Sequence, residues 1–179
     1  ELIGDKKALE ALVEYPVRGM SYPYGDFDLT LVNLLPALGI EYARTTDSTG
    51  AYKMPGDFLE WNPTCHHNDR LMERAREFAE SEYVDMMYVG GHSYEFHNEK
   101  NWDLLEDFCG LISSSHDIWF ATNIEIVEYI NALKNLRFSA DCSMVYNPSA
   151  ISVWIAPFDF PIEVGAGKIL KLKNLTGQG

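Results

Sequence analysis

The chain has 179 residues, of which 46% are hydrophobic and 13% aromatic, with a formal net charge of -13. That length suits one domain with a small appendage and a real core, and no apolar run is long enough to cross a bilayer. The acidic balance argues against a nucleic-acid backbone or an anionic membrane as partner, since both are polyanions, and leaves a neutral or cationic ligand.

From Glu1 to Tyr15 the apolar residues Leu2, Ala8, Leu9, Leu12 and Val13 fall at helical spacing, and Pro16 ends the run. A short strand is expected from Val17 to Tyr22. Asp26 or Asp28 can cap the next helix, which carries Leu31, Val32, Leu34 and Leu35 and ends at Gly39. Ile40 to Arg44 reads as a strand, Thr45 to Gly56 as a loop, and Phe58 to Trp61 as extended chain. Asn68 or Asp69 is placed to start a helix through Leu71, Ala75, Phe78 and Ala79. A buried strand then runs from Tyr83 to Val89 and stops at Gly90-Gly91, presenting His92. Glu95 and His97 follow in what reads as a polar loop.

Asn98 or Asn101 opens an amphipathic helix with Leu104, Leu105, Phe108 and Leu111, closed by Ser113 to Ser115. Ile118 to Thr122 is expected as a strand, and Asn123 as the cap of a helix through Ile124, Ile126, Val127, Ile130 and Leu133. Strict alternation of strands and helices up to Leu136 calls for an α/β fold with a mainly parallel sheet. Beyond it the period changes to that of strands over Arg137 to Asn147, Ile151 to Phe158 and Ile162 to Leu172. The turns there are Asn147-Pro148, Asp159-Phe160-Pro161 and Gly165-Ala166-Gly167. The expected organisation is residues 1–136 followed by a small antiparallel β unit over 137–179, without a functional signal of its own.

In such a chain the carboxyl ends of the strands are where side chains meet substrate. Three of them gather polar and aromatic residues: Pro23-Tyr24-Gly25, Asn62 to His67, and Gly91-His92. Cys65-His66-His67 suggests a metal, but adjacent strand residues point to opposite faces, so His66 and His67 are expected not to share one ion, and no metal ligand is assigned. A thiol hydrolase built on Cys65 would need an adjacent histidine in space and a perturbed thiol. Cys65, Cys109 and Cys142 are too widely spaced for a disulfide framework or zinc ribbon, and reduced thiols are expected. The chain opens without a methionine, a basic region or an apolar leader, so a preceding segment is expected as well.

The order Ser21-Tyr22-Pro23-Tyr24-Gly25, Ile40-Glu41-Tyr42-Ala43-Arg44-Thr45, Asp57-Phe58-Leu59-Glu60-Trp61 and Gly91-His92 resembles the polysaccharide deacetylases, carbohydrate esterase family 4, over residues 1–135. The resemblance implies a distorted (β/α) barrel that removes acetyl groups from N- or O-acetylated sugars with a divalent metal, often zinc. It implies that Pro23 and Tyr24 bind substrate, the tyrosine N–H holding the oxyanion. Asp57 and Glu60 match the acidic block that orients a catalytic group, Trp61 the wall of the acetyl pocket, and His92 the general acid.

Ser21 stands where many members carry an arginine, and Gly91-His92 replaces the usual Leu-x-His context. The family's aspartate base and metal ligands would lie before Glu1, so the chain resembles the carboxyl-terminal part of a deacetylase. It is then expected to bind no metal and to be inactive alone. The expected partner is an acetylated oligo- or polysaccharide, and the exposed edge of a partial sheet invites a second copy of the chain. The alternative is a non-catalytic carbohydrate-binding or scaffold domain that keeps the aromatic rim of Tyr24, Trp61, Tyr94 and Trp119.

Overall fold

The computed structural model describes residues 1–158 and 160–172. Helices and strands are mixed along the chain, and no closed barrel forms among the described residues. The chain divides into two compact units between Phe120 and Ala121.

The first unit begins with helix α1, Leu2–Val13, which ends where Glu14 turns left-handed, two residues before Pro16. Strand β1, Gly19–Ser21, leads into a 3-10 turn over Pro23–Gly25. Helix α2, Leu29–Leu34, starts at Asp28, whose side chain accepts the Leu31 N–H at 2.8 Å, and a 3-10 turn over Leu35–Leu38 ends at Gly39 with φ 73°. Strand β2, Tyr42–Arg44, lies parallel to β1 with Ser21 opposite Arg44. Tyr22, Val32, Leu35, Ile40 and Ala43 form one core cluster with Leu31 packed against it, whereas Leu34 of the expected stripe stays exposed.

Phe58–Glu60 is a 3-10 turn rather than extended chain, and only Trp61 bridges to Arg44, again in parallel. Strand β3, Cys65–His66, is followed by helix α3, Leu71–Ala79. Neither Asn68 nor Asp69 caps α3; Arg70 does so in a left-handed conformation with φ 54°. Of the strand expected from Tyr83 to Val89, only β4, Val89–Gly90, is paired, parallel to β3. The stretch after His92 is helix α4, Ser93–Glu99, not a loop. Helix α5, Trp102–Ser113, begins after Asn101 and packs against α3. Ile118 to Thr122 forms no strand.

The second unit starts with helix α6, Asn123–Lys134, where Thr122 rather than Asn123 is the cap. The Thr122 N–H donates to Glu125 at 2.7 Å and the Glu125 N–H returns to the Thr122 hydroxyl. Strands β5, Arg137–Phe138, β6, Met144–Tyr146, β7, Val153–Ile155, β8, Ile162–Val164, and β9, Ile169–Lys171, pair antiparallel in the orders β5-β6-β9 and β7-β8. The antiparallel unit is therefore present, and the expected turn at Asp159 lies outside the described residues. The division comes sixteen positions earlier than residue 136 because α6 packs onto these strands: Ala132, Val145, Val153, Val164 and Leu172 share one core, with Tyr129 and Leu133 against it.

No helix among the described residues is long and apolar enough to cross a membrane.

Candidate functional site

The parallel pairings of the first unit align the carboxyl ends of its strands. Past β1 the Tyr22 N–H donates to Arg44 O at 2.9 Å, past β2 the Thr45 N–H donates to Trp61 O at 3.0 Å, and past β3 the His67 N–H donates to Gly90 O at 2.9 Å. Chain segments that follow one another in sequence thus sit side by side, in the arrangement that collects functional groups at one rim.

The residues expected at that rim divide into two groups. His92 is exposed at the end of β4, its ring stacked on Tyr94 with centroids 5.2 Å apart, and it precedes α4. Pro23 and Tyr24 form the exposed 3-10 turn past β1, where Tyr24 is 95% exposed with φ 60°. Asp57 is exposed, and its carboxylate accepts the Leu59 N–H at 2.8 Å, capping the turn that leads to Trp61. Trp61 departs from expectation. It is 1% exposed and packs among Phe58 and Tyr88 at 5.0 Å each and Tyr42 at 6.0 Å, so it is core and cannot wall a substrate pocket from there.

The side chains brought closest together are ones assigned no joint role from sequence. His66 and His67 have ring centroids 4.3 Å apart, tilted by 35°. Their expected separation to opposite faces fails because β3 ends at His66. The Asp69 N–H donates back to His66 O at 2.8 Å, and the resulting turn carries His67 out of the pleat. Alternation holds only while the backbone stays extended.

Glu95, on the first turn of α4, completes the group. Its Oε2 accepts the His92 N–H at 2.9 Å and lies 3.2 Å from His66 Nε2 and 3.7 Å from His67 Nε2. Burial pushes the Glu95 carboxyl up, but the His92 N–H and the electrostatic influence of the neighbouring His66, His67 and His92 rings together hold it below the ordinary carboxylate range. The sequence did carry a signal for this placement: a glutamate three residues past a strand-end histidine has the spacing of a capping box.

His67 is 3% exposed, and neither ring nitrogen has a hydrogen-bond partner. Its ring stacks on Phe96 at 4.2 Å, and Phe96 stacks on Trp102 at 5.4 Å. A Cβ on Gly91 would fall 1.9 Å from His67 Nδ1, so the glycine leaves the room that the ring occupies. Beside the ring opens a cavity of about 290 Å³ lined by His67, His92 and Ser93 on its polar side and Leu71, Phe96 and Trp102 on its apolar side. That volume is at the lower end of what small-ligand sites enclose.

The exposed rim residues Tyr24, Asp57 and His92 supply no ligand set for the metal that the deacetylase resemblance implies. Among the described residues, the group whose ligand atoms lie within reach of one ion is His66, His67 and Glu95, all within 4.8 Å of one another. Cys65 is buried beneath them, and burial raises its thiol pKa, which leaves it a poor nucleophile. Compared with models of known protein families, with curated proteins and with solved structures, the chain matches none.

Proposed function

We propose that this chain belongs to a distorted (β/α) barrel hydrolase of the polysaccharide deacetylase type, which removes acetyl groups from N- or O-acetylated sugars. The observation that carries the proposal is the run of parallel strand ends in sequence order, with His92 exposed at the last of them beside the cavity.

Hydrolysis of an acetamide needs an activated water, charge stabilisation on the carbonyl oxygen and a proton for the nitrogen. A bound metal supplies the first by bringing water's pKa from about 15.7 toward about 7. His92 is assigned the last step: its imidazolium gives a proton to the nitrogen as the C–N bond of the tetrahedral intermediate breaks, releasing the amine and acetate. Such a donor is worth on the order of 10² to 10⁴-fold. The Tyr24 N–H is assigned to the developing oxyanion, worth on the order of 10² to 10³-fold for one donor. Asp57 is assigned an orienting role, and in that role it keeps its hold on the turn before Trp61.

A second reading, a carbohydrate-binding domain without the chemistry, is favoured by the exposure of the aromatic residues Tyr24, Tyr94 and Trp119, a residue type that packs against sugar rings. One experiment separates the two. Acetate release from acetylated chitooligosaccharides and acetyl-xylan is measured with zinc, cobalt or nickel present, for this chain and for a longer natural form carrying the family's metal-binding blocks. Turnover by the longer form, lowered by His92→Ala in kcat far more than in KM, supports the hydrolase. Saturable sugar binding with no acetate under any metal supports the binding domain and refutes the hydrolase.

A further inference from the structure

We propose that His66, His67 and Glu95 together bind one divalent transition-metal ion of the zinc type. The site is built from this chain's own residues and does not rest on the deacetylase proposal.

Three independent features converge. The first is spacing. Donors on a tetrahedral zinc ion at about 2.0–2.2 Å lie roughly 3.3–3.5 Å from one another. Glu95 Oε2 sits 3.2 Å from His66 Nε2 and 3.7 Å from His67 Nε2, and all three ligand atoms lie within 4.8 Å of one another, so one ion can touch all three after the two imidazoles draw together by on the order of an ångström. The second is the state of His67. A neutral imidazole has one donor and one acceptor, and here both are buried without a hydrogen bond, an arrangement that native interiors rarely tolerate. An ion at Nε2 satisfies the nitrogen that faces Glu95.

The third feature is preorganisation. The His67 ring is fixed by Phe96 on one side and by the side-chain-free Gly91 on another, while Glu95 is held by the His92 N–H. Outer-shell contacts of this kind orient metal ligands before the ion arrives. The competing arrangement is a plain His66–Glu95 ion pair, with the Asn68 N–H donating to His66 Nδ1 at 3.3 Å. That bond is long and exposed, so water replaces it readily when His66 turns Nε2 to an ion. The ion pair also leaves His67 unexplained.

The donor set selects the cation. Two imidazoles and one carboxylate suit Zn²⁺, Co²⁺ and Ni²⁺, whereas Mg²⁺ and Ca²⁺ prefer oxygen alone. Three protein ligands also leave a coordination position open, as in catalytic rather than structural zinc sites.

The test is titration of the chelator-treated chain with Co²⁺, followed by visible absorption, and with Zn²⁺, followed by calorimetry. The expected result is one ion per chain, visible d–d bands without a thiolate-to-cobalt charge-transfer band, and displacement of cobalt by zinc. His66→Ala and Glu95→Gln should each weaken affinity at least about tenfold. Both side chains are partly solvent-exposed, and far-UV circular dichroism checks that the variants remain folded. His116→Ala, outside the cluster, should leave binding unchanged. Failure to reach one ion per chain, a thiolate signature, or undiminished affinity in folded His66→Ala and Glu95→Gln would overturn the proposal.

Discussion

Gly91 and His67 occupy space that only a glycine leaves open: a Cβ on Gly91 would lie 1.9 Å from His67 Nδ1, and the Gly91 backbone has φ 155°. Side-chain-bearing residues rarely adopt that conformation, so the position is constrained twice, by backbone and by contact. Gly91→Ala should therefore destabilise the first unit by about 1–3 kcal/mol and displace the His67 ring. Chemical denaturation and the imidazole resonances of His67 check it, and wild-type values in both would show that the seat is not tight.

Trp61 makes a different prediction from the one its sequence block suggested. As a core residue among Tyr42, Phe58 and Tyr88 it should cost about 3–5 kcal/mol when replaced by alanine. Trp61→Phe should cost much less, because it keeps most of the apolar ring and removes an indole N–H that is buried without a partner. Urea denaturation reads both variants. A Trp61→Phe variant of full stability that had lost sugar binding would return this residue to the substrate wall.

Arg18 and Glu41 are joined by two hydrogen bonds, at 2.6 and 2.8 Å, across the β1–β2 pair. The Arg18 guanidinium holds the Glu41 carboxyl below the ordinary range. A depressed carboxylate contributes stability above its unfolded value of about 4.3, and the contribution fades as pH falls through the lower folded value. The side chains are 32% and 38% exposed, so water screens the pair and its worth is about 0.2–1 kcal/mol. Glu41→Gln should lower stability by that amount at pH 7 and by little at pH 3. An equal loss at both values would mean the carboxylate charge is not the cause.

Asn147 sits with 0% exposure at the end of β6. Its amide donates to Ile151 O at 2.8 Å and Val164 O at 2.9 Å, while its oxygen accepts the Ser149 N–H at 3.0 Å. One side chain thus closes the 147–151 loop on itself and ties it to β8 at Val164. Asn147→Ala strands those groups and should cost about 1–3 kcal/mol, more where water cannot enter. Asn147→Asp turns a donor into an acceptor facing two carbonyls and should be at least as damaging. Thermal unfolding of both variants checks this, and an unchanged melting point would mean water takes over the bonds.

The sequence by itself determined the elements whose signal is local. The apolar spacing of α1, α3, α5 and α6, an aspartate cap for α2, at Asp28 of the two offered, the glycine stop at Gly39 and the change to strand period after Leu136 all appear in the structure, because each depends on neighbours within a turn or two of backbone. Parallel pairing of β1 with β2 and β3 with β4 also follows from the alternation of strands and helices.

Tertiary structure alone decided what those elements bring together. The apolar run from Ile118 to Thr122 found no partner strand, and Trp61 went into the core because three aromatic rings surround it there. His66 and His67 came side by side because β3 is two residues long and the turn after it reorients the second ring. Glu95 met them across nearly thirty residues of intervening chain, through the pairing of β3 with β4 and the start of α4. Periodicity reports which face of an element is buried, whereas the meeting of distant side chains is set by packing between elements, which no local pattern encodes.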